Sequence, residues 1–77
     1  MKPEIAFGII MKQHRKELKL SQEEIADLCG LDRTFISLLE RAQRQPSLNT
    51  IIVIARSLQI EAHILVKEVE NMIMEDN

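Results

Sequence analysis

Side chains suited to recognising a partner rather than transforming one crowd into residues 22–49. Arg33, Thr34, Ser37, Leu38 and Arg41 fall on the outer face of a short helical pattern. Gln22 stands ahead of them, and Arg44, Gln45, Ser47 and Asn49 follow. Guanidinium, hydroxyl and amide groups in this arrangement donate hydrogen bonds to an acceptor-rich partner. Arg33 can bond guanine O6 and N7 together, worth about 1–3 kcal/mol of discrimination between bases; the bland alternative is a solvated surface charge. Thr34 can bond a phosphate or a base edge, or set its methyl against a thymine methyl, and Ser37 is a short donor and acceptor. Arg44 is placed to meet a phosphate backbone, with Gln45 as an amide donor. Ser47 caps a further helix whose free N–H groups, with Asn49, make an anion site. No nucleophile, base and orienting residue are grouped and no Gly-rich phosphate loop occurs, so the sequence does not read as an enzyme.

Two short helices with a tight corner must position these groups. Ser21, with Glu24 three residues later, forms a capping box that starts a helix over residues 22–29. Ile25, Ala26 and Cys29 give it an apolar face, and Gly30 ends it in the left-handed conformation. Leu31 plugs the corner. Asp32 caps the next helix, expected from Arg33 to about Gln43, with an inner face of Ile36, Leu39, Glu40 and Gln43. Ala26 is small because helices crossing steeply after a short turn bring their backbones close. A small residue, a turn glycine and then buried aliphatics make the helix-turn-helix pattern, whose second helix reads the major groove. Gln22 adds an amide donor at the first helix's N-terminus, where free N–H groups suit a phosphate. Glu23, Glu24 and Asp27 favour the helix dipole there but repel phosphate, so they are expected to point sideways. They form either a solvated acidic face or, on charge alone, a landing patch for RNA polymerase.

With Gln22, Ala26, Gly30, Ile36 and Leu39 at these positions, roughly residues 7–60 resemble the Cro/repressor-type (XRE-like) helix-turn-helix regulators. Within that family GLDRTFIS followed by LERAQRQPSL is most similar to the controller proteins of restriction–modification systems. The resemblance implies an all-α, compact five-helix bundle of lambda-repressor-like architecture. It also implies a homodimer on a pseudo-palindromic DNA operator that regulates its own promoter and that of a restriction endonuclease. It implies an ion pair between Arg15 and Glu40 that ties the first helix to the reading helix. Relatives commonly carry Tyr where this chain has Phe35, so the ring for a thymine or sugar contact stays and the hydroxyl is lost. They often carry Gly at Leu38, so operator preference does not transfer, and usually end the first helix with Gly where Lys19 stands. A phage- or plasmid-type repressor is the close alternative. An antitoxin-like interaction module is the alternative of a different class, but no spare toxin-binding segment stands out.

The whole chain, 1–77, is expected to be one domain: the motif over 22–44, and two further helices over 48–74 for core and dimerisation. Seventy-seven residues leave marginal stability, which dimerisation commonly remedies. With two Phe and no Trp or Tyr the core is aliphatic, which suits helices. The net charge of −2 is segregated. Residues 1–60 carry nine Lys/Arg against seven Asp/Glu, and residues 61–77 one Lys against five acids, so the acidic end should face away from a duplex. The single Cys29 excludes an internal disulfide and reads as a small buried hydrophobe. No apolar run is long enough to span a membrane and no signal peptide is evident, which predicts a cytoplasmic protein. No Cys/His cluster has ligand spacing, so neither a metal nor a cofactor is expected, and one small helical core should offer no deep pocket for a small molecule.

The first helix should start near Pro3 and run to about Leu18, with Phe7, Met11, His14 and Leu18 on one face and Gly8 as a weak spot. His14 reads as a packed, hydrogen-bonded histidine, with pH sensing as the sharper and unsupported reading. The fourth helix, Leu48 to Leu58, is apolar nearly all round, so one face closes the core and another is free for a second subunit. The fifth, about Glu61 to Met74, carries a stripe of Ala62, Leu65, Val66, Val69, Met72 and Ile73. The dimer contact is expected at Ile52, Ile64, Leu65, Val69 and Met72. Glu75, Asp76 and Asn77 should fray.

Overall fold

Helix starts in this chain are written in caps, and the computed structural model, which describes residues 1–76, honours them. Pro3 opens α1 (Pro3–Glu17) without a donor to lose. Ser21 and Glu24 form both halves of the expected capping box at α2 (Gln22–Cys29). Asp32 accepts from the Thr34 amide at α3 (Arg33–Glu40), and Ser47 from the Thr50 amide at α4 (Leu48–Ser57). α5 (Ala62–Glu75) follows the turn at Leu58 and Gln59 without a side-chain cap. The fold is all-α, with five helices and no strand among the described residues.

The helix ends share one device. Leu20 donates its amide to the Arg15 carbonyl, Leu31 to Ala26, Gln43 to Leu38 and Ile60 to Ala55. Each bond closes a Schellman motif around a left-handed residue. Only α2 uses a glycine there, Gly30 at φ 69°; Lys19, Ala42 and Gln59 hold φ of 59°, 61° and 61° with a Cβ present. Ala42 is why α3 stops at Glu40 and not at Gln43. Gln43 is consequently exposed beyond the helix, not on its inner face.

The core is drawn from all five helices: Phe7, Ile10 and Met11 of α1, Ile25 and Ala26 of α2, Ile36 and Leu39 of α3, Ile54 and Ala55 of α4, Leu65 and Val69 of α5. α1 packs against α3 and α5, α2 against α3 and α4, and α4 against α5. Ala26 is buried, in keeping with its small size. Two expectations for α1 change. Its inner stripe continues from Met11 to Arg15, and Leu18 is 38% exposed. His14 is hydrogen-bonded as expected, at the edge of the core, its Nε2 2.5 Å from Glu68 on α5. A charged residue takes the core position because its head group finds partners there, which hydrophobic periodicity cannot register.

Gly8 is the second surprise. A Cβ on it would lie 2.7 Å from the carbonyl oxygens of both Leu39 and Glu40. The apparent weak spot of α1 is the place where the last turn of α3 comes against it. At the other end of the chain, Glu75 belongs to α5, and Asp76 lies 3.0 Å from the Met1 amino group. The expected fraying of Asn77 falls outside the described residues. No single described helix is long and apolar enough to cross a membrane.

Candidate nucleic-acid interface

α3 turns its apolar side, Ile36 and Leu39, into the core, which leaves Arg33 and Thr34 exposed in its first turn. Arg33, Ser37 and Arg41 follow at i, i+4 and i+8, one line along the helix. Ser37 and Leu38 are half-buried, and Arg41 caps the C-terminus, its Nε 3.4 Å from the Ser37 carbonyl. The Asp32 carboxylate accepts the Thr34 amide and fixes the start of this exposed edge.

An ion-pair hub holds this helix in place. Arg15 Nε donates to Glu40 Oε2 at 2.7 Å and Arg15 Nη2 to Glu40 Oε1 at 3.0 Å, a two-pronged contact. Its Nη1 donates to the Leu20 carbonyl at 2.9 Å. The side chains are only 9% and 3% exposed, so the pair is buried and its geometry is complete. Gln22 joins the hub, its Nε2 donating to Glu40 Oε1 at 3.0 Å. Gln22 therefore ties the start of α2 to the end of α3 with one amide N–H, and its second N–H remains for the phosphate contact expected from the sequence. By helix geometry, the amides of Gln22 and Glu23 remain without intrahelical acceptors at that terminus.

The loop after α3 is fastened at two points. The Arg44 guanidinium lies over the Phe35 ring, 5.9 Å from its centroid. Phe35 is half-buried and packs against the core, so part of the ring expected to face a base is committed inward. Gln45 Nε2 donates to Glu4 Oε2 of α1 at 3.3 Å. The Glu4 carboxyl is held below its ordinary value, first by a backbone amide at the helix N-terminus and then by the Gln45 amide, with Lys2 adding a weaker attraction. Ser47 accepts the Thr50 amide and also bonds the Thr50 hydroxyl at 2.9 Å. Exposed Asn49 stands beside it in the first turn of α4, where the amides of Leu48 and Asn49 are unclaimed by the helix.

Of the sequence-derived residues, Arg33, Thr34, Arg41, Arg44, Gln45, Ser47 and Asn49 are solvent-exposed, and Gln22, Phe35, Ser37 and Leu38 are half-buried. The expected self-association face needs revision. Leu65 and Val69 are 0% and 9% exposed within the subunit, so neither is available to a second copy. Ile52 and Ile64 are 38% and 42% exposed, Leu48 is 72% exposed, and Met72 is half-buried. Ile52 and Ile60 line one shallow depression with Ala62 and His63. Glu4 and Gly8 were missed as partners of the reading unit. A glycine inside an otherwise regular helical pattern was the available signal for the second. Among the described residues no group of three or more His, Cys, Asp or Glu is arranged to hold a metal.

Comparison with known proteins agrees with this geometry. The helix-turn-helix family pattern matches residues 11–65. The control protein C.SmaI of Serratia marcescens is 40% identical over 48 residues, 62% of this chain and 57% of its own length. The immunity repressor protein of Bacillus phage phi105 is 36% identical over 72 residues, 94% of this chain and 49% of its own. The chain thus spans about half the length of these two relatives. The crystal structure of the restriction–modification controller protein C.AhdI from Aeromonas hydrophila superposes with a TM-score of 0.78 at 40% identity, over 80% of this chain and 94% of that one. On the sequence match, the hub that fixes α3 and the shared architecture, this chain belongs to the helix-turn-helix family, with restriction–modification controllers and phage repressors among its relatives.

Proposed function

We propose that the protein is a sequence-specific, DNA-binding regulator of transcription, of the restriction–modification controller kind, that works as a homodimer. The observation that carries this reading is the exposed Arg33–Thr34 edge of α3, held in one orientation by the buried Arg15–Glu40–Gln22 hub. A reading helix fixed to the core loses little conformational freedom on docking, which favours specific binding. Arg33 and Thr34 lie where a helix in the major groove meets base edges. Arg44 and the start of α4 supply backbone contacts. Two such helices in a dimer enter successive major grooves about 34–36 Å apart on a pseudo-palindrome. The regulated promoters are the protein's own and that of a restriction endonuclease, with activation at low occupancy and repression when further dimers bind.

The test is a salt series of binding to the DNA upstream of the gene, wild type against Arg33→Ala. The expected result is a steep fall with salt for both proteins, with the variant losing about 1–3 kcal/mol on the specific site and little on random duplex. Equal wild-type affinity for both duplexes at low salt defeats the reading and favours an interaction module.

On the acidic face of α2, Glu24 is consumed by the capping box while Glu23 and Asp27 stay exposed. Those two are the residues proposed to meet RNA polymerase. Loss of activation by Glu23→Lys at unchanged DNA affinity supports that contact, and intact activation ends it.

A further inference from the structure

A cleft of about 330 Å³ opens between the N-terminal half of α1, the loop after α3, and the helices α4 and α5. The sequence had suggested no such space. Phe7, Ile51, Val66 and Val69 make it apolar, and the hydrogen-bonded pair Glu4–Gln45 stands in its wall. Its volume falls at the lower end of the about 300–1,000 Å³ typical of small-molecule sites. Glu4 forms no salt bridge among the described residues, and its one side-chain partner is a neutral amide at the long distance of 3.3 Å. The neighbouring depressions differ. The one beside His14 is lined by three glutamates, of which Glu68 is already paired, and the one at Ile52 belongs to the face assigned to self-association.

Apolar walls with a single ionised carboxylate select a narrow chemistry. A neutral hydrocarbon covers Ile51 and Val66 but leaves the carboxylate with only the weaker attraction of Lys2. An anion is repelled. A cation with an apolar body satisfies both parts. We propose that this cleft binds a small amphiphilic amine, its ammonium on the Glu4 carboxylate and its hydrocarbon over Ile51 and Val66. The ammonium takes the place of the Gln45 amide, so occupancy releases the loop that carries Arg44 from α1. The site rests on charge and shape alone and stands independently of the DNA-binding reading.

Benzylamine is the probe, with benzyl alcohol as its neutral match, titrated into the isotopically labelled full chain while backbone amide shifts are followed. The expected outcome is saturable binding of the amine with a dissociation constant of about 1 mM, with shifts confined to the amides around Phe7, Gln45, Ile51 and Val66. Benzyl alcohol should bind about fivefold more weakly, the size of an exposed ion pair. Glu4→Gln should erase that preference. Val66→Lys, which brings a tethered ammonium to the cleft, should abolish amine binding while the rest of the spectrum stays folded. Equal affinity for amine and alcohol overturns the proposal. So does a failure to saturate, or shifts centred on other carboxylates such as Glu17, Glu61 or Glu75.

Discussion

Glu40 is the residue on which the reading unit depends. It accepts three hydrogen bonds, two from Arg15 and one from Gln22, with its side chain 3% exposed. Glu40→Gln leaves the Arg15 guanidinium buried without its counter-charge. Removing one partner of such a pair costs about 3–5 kcal/mol, enough to lower the melting temperature by at least about 12 °C in a domain of this size. Thermal unfolding followed by far-ultraviolet circular dichroism checks it; a curve superimposed on wild type removes the hub from the account. At Glu4 the sign of the pH effect follows from a folded-state value held below the ordinary 4.5. Its contribution to stability is complete above that ordinary value and is lost as pH falls through the lowered folded one. The stability gap between wild type and Glu4→Gln should therefore close on acidification, as read by urea unfolding at a series of pH values.

Two helix-level features make predictions that helix propensity alone gets wrong or cannot make. Gly8→Ala improves intrinsic helix propensity by about 1 kcal/mol, yet the added methyl meets two backbone carbonyl oxygens at 2.7 Å. Backbone cannot swing aside as a side chain can, and overpacking of this kind costs about 1–3 kcal/mol. Net destabilisation is expected, and a rise in melting temperature for Gly8→Ala contradicts the close approach of α3. Ala42→Gly goes the other way. Relief of the left-handed conformation outweighs the added freedom of the unfolded chain, for a gain of about 0.5–1 kcal/mol in chemical denaturation. These positions also explain what was readable beforehand. Ser21, Glu24, Gly30, Asp32 and Ser47 announce helix ends through their own chemistry, and α2, α3 and α4 start where they say. Ala42 carries no such signal, so α3 was expected to run too far and Gln43 was placed inside. Hydrophobic spacing likewise points to His14 and Leu18, because no periodicity reveals that Arg15 has a buried partner in Glu40, 25 residues away; the family resemblance implies that pair, and it is present. The exposed edge at Arg33 and Thr34 was legible from the faces of one helix. The attachments of Gln22, Phe35 and Gln45 were not, since they depend on which helices meet.

At the scale of the whole molecule, the apolar surface that the chain leaves open is where the proposed dimer contact belongs. Leu65 and Val69 have already been spent on the subunit's own core, while Leu48, Ile52 and Ile64 remain exposed on α4 and α5. A charge placed in such a surface faces desolvation on association. Ile64→Glu should therefore yield a monomer by analytical ultracentrifugation, with helix content unchanged and operator affinity reduced. A dimer that survives both this change and Ile52→Glu moves the interface elsewhere.

The hub at Glu40 has a further consequence for how the protein comes apart. Its two charges sit on α1 and on the end of α3, so neither helix can leave without exposing the other's charge to an apolar interior, while α2 adds only the neutral Gln22 amide. A partly opened form that keeps Arg15 buried but loses α3 carries an unpaired cation and is disfavoured by several kcal/mol. Intermediates lacking α1 or α3 are thus suppressed, and loss of the exposed α3 edge coincides with global unfolding rather than preceding it. Slow hydrogen exchange should report this directly, with the protected amides of α1 and α3 sharing one opening free energy.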